Sequence, residues 1–111
     1  MANFETRTSN EDGRTVVRLA GECDLAARDE LTSVLMAAVA GANIVVVDMG
    51  GLTFLDSTGI HGLVTAHHAA RRAGGRLYLV NATGMVANVL DITGVGELLR
   101  APADDGAPSR Q

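Results

Sequence analysis

The run Ile44-Val45-Val46-Val47 limits the fold more than any other stretch of this chain. Four consecutive β-branched residues without alternation describe a strand buried on both faces, and such strands sit centrally in mixed or parallel sheets. The flanking sequence agrees. Upstream, Leu31, Val34, Leu35 and Ala38 recur with helical spacing after Asp24, whose carboxylate suits a helix start, and Gly41 stands where a helix would end. Downstream, the segment from Asp48 to Asp56 reads as a loop. Ile60, Leu63, Val64, His67 and Ala70 then mark the inner stripe of a second helix, closed by Gly74-Gly75. Arg76-Leu77-Tyr78-Leu79-Val80 follows as a strand, and Met85, Val86, Val89 and Leu90 trace a short third helix.

The N-terminal part adds a hairpin. Phe4 to Thr8 is extended, Asp12-Gly13 is a turn dipeptide, and Thr15 to Ala20 is a strand that stops at Gly21. Val95 to Leu99 reads as extended or turn-like, a candidate short last strand. The order is β-β-α-β-α-β-α, an α/β layer with a mixed central sheet and helices packed on it. Residues 1–100 form one domain. From Ala101 the composition turns to Ala, Pro, Asp, Gly and Ser, and residues 101–111 are expected to be a disordered tail.

Composition excludes several function classes. Of 111 residues, 47% are hydrophobic, enough for one packed core. Nine basic against thirteen acidic residues argue against a nucleic-acid binder, which needs a basic face. Phe4, Phe54 and Tyr78 are too few for a base-stacking platform. A single cysteine, Cys23, excludes an internal disulfide framework and a multi-cysteine zinc site. No apolar run approaches a membrane span and no signal peptide opens the chain, so a cytoplasmic protein without membrane contact is expected.

The chemistry concentrates in Asp56-Ser57-Thr58-Gly59 at the start of the second helix. With the buried strand before it, the stretch Val45 to Ile60 resembles the STAS family of anti-sigma factor antagonists, in which Asp-Ser-Ser/Thr-Gly opens a helix. Gly21-Glu22-Cys23-Asp24-Leu25 is similar to the family's Gly-Glu-x-Asp segment. Gly74-Gly75-Arg76-Leu77 is similar to its approach to the next strand, and Val89-Leu90-Asp91-Ile92-Thr93-Gly94-Val95 to its closing helix and turn. The likeness runs roughly from residue 4 to 100. It implies a single STAS domain that is no enzyme and needs no cofactor. Its partner would be an anti-sigma factor, a serine kinase of the histidine-kinase-like ATPase fold. The unphosphorylated form would bind that kinase and so release a sigma factor. Phosphorylation at Ser57 would end the binding, and a PP2C-type phosphatase would restore it. The switch surface expected from the resemblance comprises Cys23, Asp24, Leu25, Asp56, Ser57, Thr58, Gly59 and His61.

Physical chemistry at Ser57 is compatible with that expectation. The first N–H groups of a helix lack intrahelical partners, so a phosphate there would find donors and a favourable dipole. Nearby carboxylates, Asp56 and Asp24, oppose it by a similar amount, so the fold should survive modification. An interface would not, because charge placed where a partner packs adds repulsion to desolvation.

Blander readings stand beside this one. Ser57 could be only a helix cap. Thr58 is structural support rather than a second acceptor, and Cys23 a small buried filler. Asp48 ends a strand as a receiver-domain phosphoacceptor does, but Glu22 and Asp24 are a poor substitute for the metal-holding acids such a domain needs. His61 and His68 lie seven apart and lack the i, i+4 pairing that chelates zinc, so no metal is expected; the three histidines read as polar groups on a partly exposed face. His61, Thr65, His68 and Arg72 form a polar stripe that could border a partner surface. Ser57 lacks the Gly-x-Ser-x-Gly setting of a hydrolase. The alternative within the same fold is a STAS interaction module of a transporter accessory subunit or a stressosome-like scaffold.

Overall fold

A computed structural model describes residues 3–101. Two strands, β1 (Phe4–Glu11) and β2 (Arg14–Cys23), form the opening hairpin in antiparallel register from Phe4↔Gly21 to Glu11↔Arg14. Asp12 and Gly13 close it with φ of 55° and 80°. These left-handed values match the twist of the flanking strands, and glycine adopts them without strain.

After a 3-10 turn at Leu25–Ala27 come α1 (Arg28–Gly41), β3 (Ile44–Leu55), α2 (Ser57–Arg72), β4 (Arg76–Val80), α3 (Gly84–Thr93) and α4 (Val95–Leu98). The sheet runs β1-β2-β3-β4, with β2, β3 and β4 parallel and β1 antiparallel to β2. The mixed sheet expected from the sequence is therefore present, with the Ile44–Val47 run between two parallel neighbours.

Side chains on β2, β3 and β4 divide between two faces. Val17, Leu19, Val45, Val47, Met49 and Leu77 meet Leu31, Leu35, Leu63 and Ala66 of the helices, together with Val86, Leu90, Val95 and Leu99. On the other face Val16, Val46 and Tyr78 are aligned across the three strands and are also buried. That pairing explains why the sequence of β3 lacks alternation.

The segment from Asp48 to Leu55, read above as a loop, is strand. It continues to pair with β2 through Gly51, Leu52, Phe54 and Leu55, with register shifts that absorb the irregular residues around Gly50 and Thr53. Those shifts place glycine and polar residues in a strand that local propensity disfavours; pairing with β2 overrides it. Val95–Leu98 is a helical turn rather than a strand. Gly94, at φ 79°, ends α3 and redirects the chain. All that is left of the expected last strand is an isolated parallel bridge between Leu79 and Arg100. The tail assigned to 101–111 lies outside the described residues, apart from Ala101.

His67 follows the inner stripe of α2 rather than the partly exposed face that holds His61 and His68. It is buried on α2, and its Nδ1 has no hydrogen-bond partner among the described residues. Burial, then the charges of His68 and Arg71, push its pKa below the ordinary value of 6.5. Between the folded pKa and 6.5 the unfolded chain binds the extra proton, so stability is complete above about 6.5 and falls as pH drops through the folded value. Urea midpoints at pH 7.5 and 5.5 are expected to fall in the wild type and to fall less in His67→Leu.

Candidate functional site

Parallel pairing of β2 and β3 brings their C-terminal ends to one edge of the sheet, and each leads into a helix there. Residues about thirty apart in sequence thereby become neighbours. This is the edge where open α/β sheets place their functional loops. The Asp56 N–H donates to the Cys23 carbonyl at 3.3 Å, tying the two connections together.

Both connections use an aspartate in the same way. Asp24, extended at φ −120°, accepts from the Ala26 N–H at 3.0 Å. Asp56, extended at φ −114°, accepts through Oδ1 from the N–H groups of Thr58 at 3.0 Å and Gly59 at 3.3 Å. The cap of α2 is thus Asp56, and Ser57 is the first helical residue, exposed to solvent. The capping alternative for Ser57 is corrected by this geometry: its side chain is not the one that satisfies the helix start. Replacing Asp56 by alanine should cost about 1 kcal/mol of stability in urea denaturation, and Asp56→Asn less, since the amide oxygen can accept the same bonds.

Gly59 explains why the motif ends in glycine. A Cβ there would lie 2.5 Å from Leu55 Cδ1 and 2.8 Å from Cys23 Sγ, so the first turn of α2 rests directly on the end of the sheet. Gly62 serves the neighbouring helix in a milder way, because its absent Cβ would stand 3.1 Å from Leu31 Cδ2.

Cys23 itself is fully buried. Its place on the expected switch surface is therefore corrected: its side chain lies beneath the surface, and the backbone carbonyl holds Asp56. Burial first, then the charges of Asp56 and Asp24, push its thiol up to about 11. The thiolate needed for reactivity is scarce at neutral pH.

The remaining residues named from the sequence gather at this edge. Leu25 is 64% exposed and Phe54, paired with Glu22 at the end of β3, is 38% exposed. They give the edge an apolar component beside the carboxylates of Asp24 and Asp56. Thr58, His61 and Thr65 line a groove of about 250 Å³ between α1 and α2, with Arg28 and Thr32 on the opposite wall. His68 is exposed further along α2. Sequence reasoning passed over Phe54 as a site residue and Arg28 altogether. Phe54 was hidden by the expectation of a loop. Arg28 carries no signal until the two helices are placed side by side.

Among the described residues no three or more His, Cys, Asp or Glu side chains gather in a way that could hold a metal ion. No described helix is long and apolar enough to cross a membrane.

Comparison with known proteins gives a family. The family described as the STAS domain matches residues 3–105. No curated protein matches the chain. Among solved structures, an anti-sigma factor antagonist from Mycobacterium paratuberculosis is 25% identical, with a TM-score of 0.79 over 92% of this chain and 89% of that one. The Bacillus cell fate determinant SpoIIAA in its phosphorylated form is 19% identical, with a TM-score of 0.69 over 91% and 93%. A sulfate transporter family protein from Wolinella succinogenes is 21% identical, with a TM-score of 0.68 over 80% and 73%.

Proposed function

The chain belongs to the STAS domain family, and from that premise we propose that it is an anti-sigma factor antagonist switched at Ser57. The unphosphorylated protein binds an anti-sigma factor that is itself a serine kinase, and a sigma factor is released. Transfer of a phosphoryl group to Ser57 ends the complex, and a PP2C-type phosphatase resets it. The protein acts by binding and carries out no catalysis of its own.

One observation carries the reading: Ser57 is exposed at the first position of α2 while Asp56 does the capping. A hydroxyl in that position is accessible to a kinase and can be modified without dismantling the helix start. Leu25 and Phe54 supply apolar contact area at the same edge. A dianion introduced there would meet both the carboxylates of the edge and the desolvation cost of a closed interface. Likeness to an anti-sigma factor antagonist and to a phosphorylated relative supports the same assignment.

The test is intact-mass spectrometry after incubation with ATP and the candidate anti-sigma kinase. One added phosphoryl group, mapped to Ser57 and absent from Ser57→Ala, is expected. Lack of modification by a kinase active on another antagonist would favour the second reading, an interaction module of a transporter subunit. The fold shared with the sulfate transporter family protein is the observation behind that alternative.

A further inference from the structure

We propose that a phosphoryl group on Ser57 is held by the Arg28 guanidinium and the His61 imidazole at the groove between α1 and α2. The proposal rests on the reading of Ser57 as a phosphorylated residue and adds what receives the phosphate. Two of the amides at the helix start are already engaged. Thr58 and Gly59 already donate to Asp56 Oδ1. A phosphate taking those bonds would leave the Asp56 carboxylate without its partners, at the cost of the cap.

Other donors line the groove that Thr58, the neighbour of Ser57, also lines. Each residue advances an α-helix by about 100°, so Ser57 and His61 differ by about 40° around α2 and by one turn along it. Side chains four apart on a helix meet. His61 is exposed and lines the groove of about 250 Å³ that Arg28 lines from α1. Arg28 opens α1 just as Ser57 opens α2, and both helices begin at the same edge because their preceding strands are parallel neighbours. Among the described residues, Arg28 pairs with the exposed Asp29 at 3.5 Å. An exposed pair of this kind holds its partners weakly. A phosphate dianion offers the guanidinium a stronger, two-pronged acceptor.

The charged and titratable groups at this edge are Asp24 after β2, Asp56 after β3, Asp29 and Arg28 on α1, and His61 on α2. The three carboxylates repel the phosphate, the Arg28 guanidinium attracts it and the His61 imidazole can offer it a ring N–H; of these groups only Arg28 and His61 line the groove. The phosphorylated side chain accordingly leans over the groove mouth and removes His61 from the surface offered to a partner.

The experiment uses full-length protein with phosphoserine incorporated at position 57 during translation, so that no kinase is needed. The ³¹P resonance is followed against pH. The second ionisation of phosphoserine ordinarily lies near 6. Its midpoint is expected about half a unit to one unit lower in the otherwise wild-type protein than in the Arg28→Ala/His61→Ala variant. His68→Ala, about three turns further along α2, should leave the midpoint where it is. Equal midpoints in the first two proteins would overturn the clamp. A kinase that ignores Ser57 would remove the proposed function and leave this result standing, so the two failures are separable.

Discussion

Phosphorylation of Ser57 is expected to weaken the complex with the anti-sigma factor about a hundredfold, Ser57→Glu about ten- to thirtyfold, and Ser57→Ala less than about twofold. The ordering follows from charge. A phosphate brings −1.5 to −2 and a glutamate −1, both into an edge that already carries Asp24 and Asp56. Losses of about 3 and 2 kcal/mol correspond to those factors. Alanine removes a hydroxyl that does not cap the helix, so it should neither unseat α2 nor add charge. Calorimetric titration of the four proteins into the kinase reads the series directly. Tight binding by Ser57→Glu would place the partner surface elsewhere on the domain. The same titration distinguishes an interface from a purely internal effect, because the thermal stability of the four proteins should differ little.

Gly59→Ala has the largest expected effect on the fold for a change of one methyl group. The added Cβ would overlap Leu55 Cδ1 and Cys23 Sγ at 2.5 and 2.8 Å. Both neighbours are fully buried, 1% and 0% exposed, and have nowhere to retreat. Overpacking of this kind costs about 2 kcal/mol, which in a domain of this size lowers the melting temperature by about 10 °C. The strain is local and should be relieved in part by making room. Cys23→Ala alone leaves a small cavity and is mildly destabilising, but the Cys23→Ala/Gly59→Ala double variant should be more stable than the sum of the two losses predicts. Strict additivity would mean that the helix start is not seated on Cys23. The experiment bears on function because Ser57 is carried by that same turn.

The sequence shows the site more fully than it shows the chain's path to it. Asp56-Ser57-Thr58-Gly59 is legible as a helix start because capping chemistry is local: an aspartate, then free N–H groups within four residues. The central strand is legible because Ile44–Val47 is apolar at every position. The extent of β3 is not, since Asp48, Gly50, Gly51 and Thr53 have poor strand propensity and become strand through pairing with β2. Val95–Leu98 misleads in the opposite direction. Four residues are too few to show a helical period, and the left-handed Gly94 decides where the chain goes next.

What the sequence alone determined is the layer architecture and the position of Ser57 at a helix start, because periodicity and capping act over a few residues. The tertiary structure decided which side chains meet there. Parallel pairing of β2 with β3 puts Asp24 beside Asp56, and packing of α1 on α2 puts Arg28 across from His61. The fold also buries Cys23 under the surface and leaves His67 Nδ1 without a hydrogen-bond partner among the described residues. These contacts join residues roughly thirty apart, and chain closure over that distance is governed by the whole core rather than by any local preference.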